Sequence, residues 1–312
     1  MPIRLIAILG LAVIVTATAE ADEQKASETA KLKIQRDAKT ILISKAAAPV
    51  LRYRYSDVPR KPYVQELYSP SGIQILRDAP HDHLHHHAMM FAIIGNGVDF
   101  WTEGQGHGTQ NHVKLGIETV ERGGTPSRFN VTHELRWDSH EGKAVLVEER
   151  SVSVPARTQG EATLVTWCSS LRPAEGVESV TLTGTHYDGL GLRFIETMDR
   201  VGRFLHAAGK EGPLVRGTEH VTPSKWSAYI APAHGQPVTV AIFDHPDNPR
   251  HPAGMFTMTA PFAYLSATPN VWKQPLVLSQ GDQIRYRYGV AVWDGETSPE
   301  AIEALYRRWL GP

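Results

Sequence analysis

The chain has 312 residues, of which 41% are hydrophobic and 21% charged, enough apolar material for the core of one large domain or two moderate ones. A formal net charge of -1 excludes a global basic field, so neither nucleic acid nor an anionic membrane surface is an expected partner. A single cysteine excludes a disulfide-built fold, and 15 histidines ask for a local explanation.

At the N-terminus, Arg4 precedes an apolar run from Leu5 to Val15 that is too short to span a bilayer, followed by small residues at Ala17-Thr-Ala19. Residues 1–19 therefore read as a signal peptide. The expected location is periplasmic or secreted, with no stable membrane association once the signal is removed. Residues 20–45 read as a connector with room for first strands at 32–35 and 40–44, and 46–312 as a single domain.

Alternating or branched segments follow at Val50 to Tyr55, Gly72 to Leu76, His112 to Val120, Arg128 to Trp137, Ala144 to Val154, Ala162 to Leu171 and Val177 to Thr185. The pattern continues at Lys225 to Ile230, Pro237 to Phe243, Gly254 to Thr259, Ala263 to Ala267 and Gln283 to Trp293. Asn96-Gly97 marks a tight hairpin. The Glu148-Glu149-Arg150 run reads as a solvated strand face. One helix is expected at the C-terminus, where Ser298 caps, Pro299 takes the first position, and Ile302, Leu305, Tyr306 and Trp309 share a face. It is expected to plug an edge or end of a sheet. The fold class is all-β: a large two-sheet sandwich with a C-terminal helix.

Three polar constellations interrupt this pattern. The densest is Asp78-Ala-Pro-His-Asp-His-Leu-His-His-His-Ala88, which runs into the apolar segment Met89 to Ile94 and so sits at the mouth of a buried element. Pro80 favours a loop that becomes a strand near His86 or His87. The hairpin at Asn96-Gly97 brings Asp99, His107 and His112 into reach. Two uses stand open: a divalent metal held by imidazoles, or a metal-free site in which neutral imidazole moves protons near its ordinary pKa of about 6.5. The second constellation is His186 to Phe194, where Arg193 lies on a strand beside Gly191. The glycine leaves room above the sheet, and the planar guanidinium suits a carboxylate or vicinal hydroxyls. Tyr187 is a proton donor or stacking platform. The third is Asp244-His-Pro-Asp-Asn-Pro-Arg-His251, a proline-stiffened loop holding His245, Asn248 and Arg250. Trp226 is a sugar-stacking or core aromatic.

Pro62 to Gly72, Asp82-His-Leu-His-His-His87, Val98-Asp-Phe-Trp101, Tyr187-Asp-Gly-Leu-Gly-Leu-Arg193, Asp244 to Arg250 and Tyr286-Arg-Tyr288 together resemble the PmoA-like family of exported bacterial proteins, over about residues 45 to 295. The resemblance implies a β-supersandwich of galactose-mutarotase type and company with sugar-transforming enzymes. It also implies that His83, His86, His87, Tyr187, Arg193, His245, Asn248 and Arg250 occupy the family's polar motif positions. Ala88 stands where the pattern has Gly.

The leading expectation is a carbohydrate-active protein that cleaves or epimerises a glycoside. His83, His86, His87 and Tyr187 carry protons, and Arg193, His245, Asn248, Arg250 and Trp226 bind substrate, with no cofactor required. The alternatives are a metal-dependent enzyme with a divalent ion on His83, His86, His112 and His245, or a non-catalytic glycan-binding module. All need the three constellations to meet in one cavity.

Overall fold

The computed structural model describes residues 32–45, 48–156 and 162–311. The expected signal peptide and the connector up to residue 31 lie outside the described residues. In chain order the strands are β1 Leu32–Arg36, β2 Thr40–Lys45, β3 Ala48–Arg54, β4 Tyr63–Leu67, β5 Met89–Ala92, β6 Ile94–Gly95, β7 Val98–Asp99, β8 Thr109–Arg122, β9 Thr125–Asp138, β10 Ala144–Pro155, β11 Ala162–Pro173, β12 Ser179–Thr183 and β13 Gly189–Arg193. After a short 3-10 turn at Glu196–Met198 come β14 Arg203–His206, β15 Leu214–Arg216, β16 Glu219–Pro223, β17 Trp226–Ala233, β18 Gln236–Asp244, β19 Gly254–Met258, β20 Tyr264–Thr268, β21 Leu276–Ser279 and β22 Ile284–Asp294, and then the helix α1 Pro299–Leu310.

All pairings among these strands are antiparallel. A ten-stranded sheet runs β1-β2-β3-β4-β5-β13-β20-β19-β16-β15, and an eight-stranded sheet runs β14-β17-β18-β22-β11-β10-β9-β8. A smaller four-stranded sheet, β21-β12-β6-β7, holds the Asn96-Gly97 hairpin, whose two turn residues take φ values of 48° and 76°. The protein is thus the expected all-β sandwich with a C-terminal helix. Among the described residues no helix is long and apolar enough to cross a membrane.

Strand alternation sends every second side chain between the two large sheets. Phe91 of β5 meets Trp137 of β9 and Tyr286 of β22, with ring centroids 6.4 and 6.0 Å apart, so residues from both sheets share one core. The 148–150 run is not a solvated face. Glu148 and Arg150 share the inward side of β10 and are fully buried, while Glu149 between them is exposed. Glu148 accepts hydrogen bonds from Arg150, Trp137 Nε1 and Ser169, and Arg150 also donates to the Pro62 carbonyl and Gln110. Each charge has its opposite in contact, which is what permits burial.

The helix forms as its capping sequence dictates, with the Ser298 hydroxyl accepting from the Ala301 N–H and Pro299 at the first helical position. It does not plug an edge. Its apolar face lies on the outer side of the eight-stranded sheet, where Ala228, Ala241 and Ala291 keep the surface low and Phe243, Trp293 and Trp226 pack against Leu305, Tyr306 and Trp309. Gly289 is required there, because a Cβ would come within 2.9 Å of the Trp309 indole. The strand expected at 72–76 is reduced to two isolated bridges, Tyr68 to Gln74 and Leu76 to Phe194.

Glu148→Ala should cost about 3–5 kcal/mol, because it strands the Arg150 guanidinium without a counter-charge. The double change Glu148→Leu with Arg150→Met should recover most of that loss in urea unfolding. A single variant as stable as the parent would mean that water reaches Arg150.

Candidate functional site

The histidine segment closes on itself instead of extending. Asp78 and His87 face each other as an antiparallel bridge. Between them, the Ala79 N–H donates to the His86 carbonyl, His83 N–H to Pro80, and His86 N–H to His83, giving two successive turns. Ala79 and Ala88 sit at the base of this loop with φ values of 42° and 47°. That left-handed geometry explains why glycine is the expected residue at position 88.

His87 holds the base. Its Nδ1 is 2.9 Å from Asp78 and its Nε2 2.9 Å from Glu103, and its ring stacks on Tyr63. Glu103 also accepts from Lys61 Nζ at 2.7 Å, and that fully buried amine donates again to the Trp101 carbonyl. Burial opposes the charge on His87, but the bonds to both carboxylates outweigh it and raise the pKa. Burial likewise opposes the charge on Glu103, yet His87 and Lys61 bring its pKa down to about 2. Both imidazole nitrogens are engaged as donors, so His87 anchors the loop and has no lone pair for a substrate or a metal.

Above this anchor lies a cleft of about 350 Å³ on the outer face of the ten-stranded sheet. Register places Arg193, Tyr264 and Met258 in one row across β13, β20 and β19, and Gly191, Ser266 and Phe256 in the next. Gly191 is needed for the floor, since a Cβ would fall 2.0 Å from the Tyr264 hydroxyl and 3.0 Å from the Trp101 indole. Trp101, Tyr187, Phe256, Phe262 and Tyr264 supply aromatic walls, and His83, His85, His86, Arg216 and Glu219 supply polar ones. His86 stacks on His83 with centroids 4.7 Å apart and lies 5.2 Å from Tyr264.

Burial, reinforced by the positive charges of its neighbours, pushes the His86 pKa down to about 2, and burial first among several causes brings His85 to about 4. Both are neutral at physiological pH. Burial raises the Tyr187 pKa above its ordinary value, which keeps the phenol protonated. Glu219 is fixed by Arg216 at 2.8 Å and His186 at 3.0 Å. Several buried polar atoms around the cleft have no protein partner: His86 Nδ1, Trp101 Nε1, the Tyr264 hydroxyl, and Nε and Nη1 of Arg193. Rings beside hydrogen-bonding groups form the kind of lining that suits a polar, flat-faced ligand.

Two of the three constellations meet here and the third does not. His83, His86 and Tyr187 line the cleft, whereas Arg193 is not among the lining residues but lies buried against Phe262, which is. His245, Asn248, Arg250 and Trp226 are not among the lining residues. His245 bonds Arg287 and meets the edge of Trp309. Asn248 ties Asp244 to the Arg287 backbone, and Arg250 donates to the carbonyls of Asn270, Gln274 and Pro275. Trp226 belongs to the core under α1 and donates to Glu303. A stiff loop that satisfies its own polar groups and those of its neighbours has none left for a ligand. His112 is likewise elsewhere, bonded to His133, which is bonded in turn to Tyr53. The four histidines considered as metal ligands are therefore not brought together, and among the described residues no group of three or more His, Cys, Asp or Glu is arranged to hold a metal ion. The sequence reading missed Glu219, Arg216, Phe256, Phe262 and Tyr264. Each is isolated in an ordinary strand or turn, and only the sheet pairing collects them.

Two measurements follow from this geometry. Because its folded pKa is raised, the His87 charge stabilises the fold fully below the ordinary histidine value of about 6.5, and the effect fades as pH rises through the folded value. Thermal melts should therefore show a parent-minus-His87→Gln difference that shrinks toward alkaline pH, and a constant difference would contradict a charged His87. Ala88→Gly should raise stability by up to about 1 kcal/mol by relieving the left-handed backbone, and a loss would show that the buried methyl matters more.

A search of curated proteins finds no match. Solved structures of similar fold include an alpha-galactosidase from Lactobacillus brevis, at 10% identity over 85% of this chain and 39% of that one, with a TM-score of 0.46. A protein from Synechocystis matches at 10% identity over 84% of this chain and 96% of its own, with a TM-score of 0.42. The galactosidase domain of an alpha-galactosidase-sucrose kinase matches at 8% identity over 85% and 41%, with a TM-score of 0.44. The chain spans about two fifths of both galactosidase chains, and likenesses this loose carry no argument about activity. A family model covers residues 40–307, and on that ground the chain belongs to DUF6807, a family of unknown function.

Proposed function

We propose that the protein binds a carbohydrate in the cleft above Gly191 and transforms it by proton transfer, with His86 as acceptor and Tyr187 as donor. The observation that carries this reading is the pairing, in one aromatic cleft, of a neutral buried imidazole with a protonated phenol. The imidazole removes a proton from the sugar while the phenol delivers one to the departing or ring oxygen, so charge and protons balance without a cofactor. His83 stacks on His86 with its Nδ1 3.2 Å from the Asp82 carboxylate, and it is the alternative acceptor.

Hydrolysis of a glycoside by paired carboxylates is less well supported. Such enzymes place two carboxyl groups about 5–9.5 Å apart across the bond. Among the described residues lining the cleft, Glu219 is the single carboxylate, and Arg216 and His186 already engage it. Epimerisation or eliminative cleavage needs only one acceptor and one donor. The signal-peptide reading puts this activity in the periplasm or outside the cell, and N-terminal sequencing of the exported protein should show a start near Glu20.

Tyr187→Phe and His86→Gln should each lower turnover about 10²- to 10⁴-fold while binding of the same sugar persists. A glycan screen read by mass spectrometry identifies the substrate, and single-turnover assays then compare the variants. Full activity in both variants would remove the assigned roles, and binding without any product would leave a glycan-binding module.

A further inference from the structure

We propose that the ligand of this cleft is a sugar acid, and that its carboxylate seats on the guanidinium of Arg193. This rests on the carbohydrate reading above and narrows it.

Arg193 ends β13 on the outer face of the ten-stranded sheet, directly across from Tyr264. It is only 1% exposed. Its Nη2 reaches Asp82 at 3.5 Å, the outer limit of a hydrogen bond, and its Nε and Nη1 meet no acceptor among the described residues. Asp199, the other carboxylate whose charge acts on it, spends Oδ1 on the Ala263 N–H. The Phe262 ring lies 3.5 Å from the guanidinium carbon and covers a face of the group. The N–H bonds point in the guanidinium plane, away from that contact.

The chemistry of the unpaired atoms selects the ligand. Guanidinium and indole N–H groups only donate, so Arg193 Nε and Nη1 and Trp101 Nε1 all require acceptors, with the Tyr264 hydroxyl and His86 Nδ1 beside them. A sugar hydroxyl brings lone pairs but also a proton that needs an acceptor of its own. A carboxylate brings acceptors alone, matches the guanidinium fork in two parallel bonds, and adds a close negative charge where Asp82 reaches only one nitrogen at 3.5 Å. A neutral sugar can offer acceptors but no charge. The anion also acts on the proton acceptor, because the Arg193 charge is one of the causes that, after burial, lower the His86 pKa. Seating a carboxylate there offsets that field and makes His86 a better base while substrate is bound.

The test is isothermal titration of the mature protein with matched monosaccharides, glucose against glucuronate and galactose against galacturonate, at low and moderate salt. At least one acid should bind about ten-fold or more tightly than its neutral partner, the worth of one charge-assisted pair. Arg193→Met should erase that preference. Arg193→Lys, which keeps the charge and loses the fork, should retain only part of it. Asp82→Asn should tighten binding of the acid by removing the carboxylate that competes for Nη2. Equal affinity for acid and neutral sugar, or a preference that survives Arg193→Met, overturns the sugar-acid proposal and leaves the carbohydrate reading standing. Should Arg193→Met fail to fold, the parent ratio and the Asp82→Asn shift decide. Absence of binding by every sugar overturns both.

Discussion

The cleft depends on one partly buried chain of alternating charge, Asp78, His87, Glu103 and Lys61. Each member touches one of opposite sign, with Lys61 and His87 buried and Asp78 and Glu103 half-buried, so removing His87 strands Asp78 and removing Glu103 strands the Lys61 amine. Its structural effect reaches beyond its own four residues. It binds the base of the histidine loop to the segment after β7, and through the Lys61 amine it also fixes the Trp101 carbonyl. Asp99, accepting from the Trp101 and Thr102 N–H groups, secures the same segment from its other side. The positions of His83, His86 and Trp101 over the sheet are consequences of that fastening.

A second constraint comes from the sheet below. The row Gly191, Ser266, Phe256 lies beside the row Arg193, Tyr264, Met258, and the absent side chain at Gly191 is what allows an indole and a phenol to lie close over the strand. Burial then sets the chemistry. The same enclosure that strips the charge from His86 keeps the proton on Tyr187, so the two side chains stay neutral together in one environment.

Much of the architecture was legible because it is local. Period-two alternation located the long strands, the Asn96-Gly97 pair located the hairpin, and the Ser298-Pro299 start located the helix. The 81–87 and 187–193 segments meet because β5, which follows the first, pairs with β13, which lies within the second. What failed was long-range. Glu148 and Arg150 look solvated until Trp137, Ser169 and Gln110 arrive from other strands to satisfy them. His112 looks available until His133 is found opposite, and Arg250 until three carbonyls of the 270–275 turn are. Expecting a strand at 72–76 overrated an apolar run whose edge makes only single bridges. Glu219, Phe262 and Tyr264 carry no local signature at all, and their place in the cleft is a product of pairing alone.

The strand that carries Arg193 belongs to two environments at once. Leu190 and Leu192 point into the oily interior, while Gly191 and Arg193 point the other way, toward the outer face of the sheet. Inserting or deleting one residue there would exchange the two sets, driving a guanidinium among hydrocarbon and presenting leucine to the outer face. In β13, therefore, the core and the cleft floor are written in the same five letters, and neither can drift out of phase without the other.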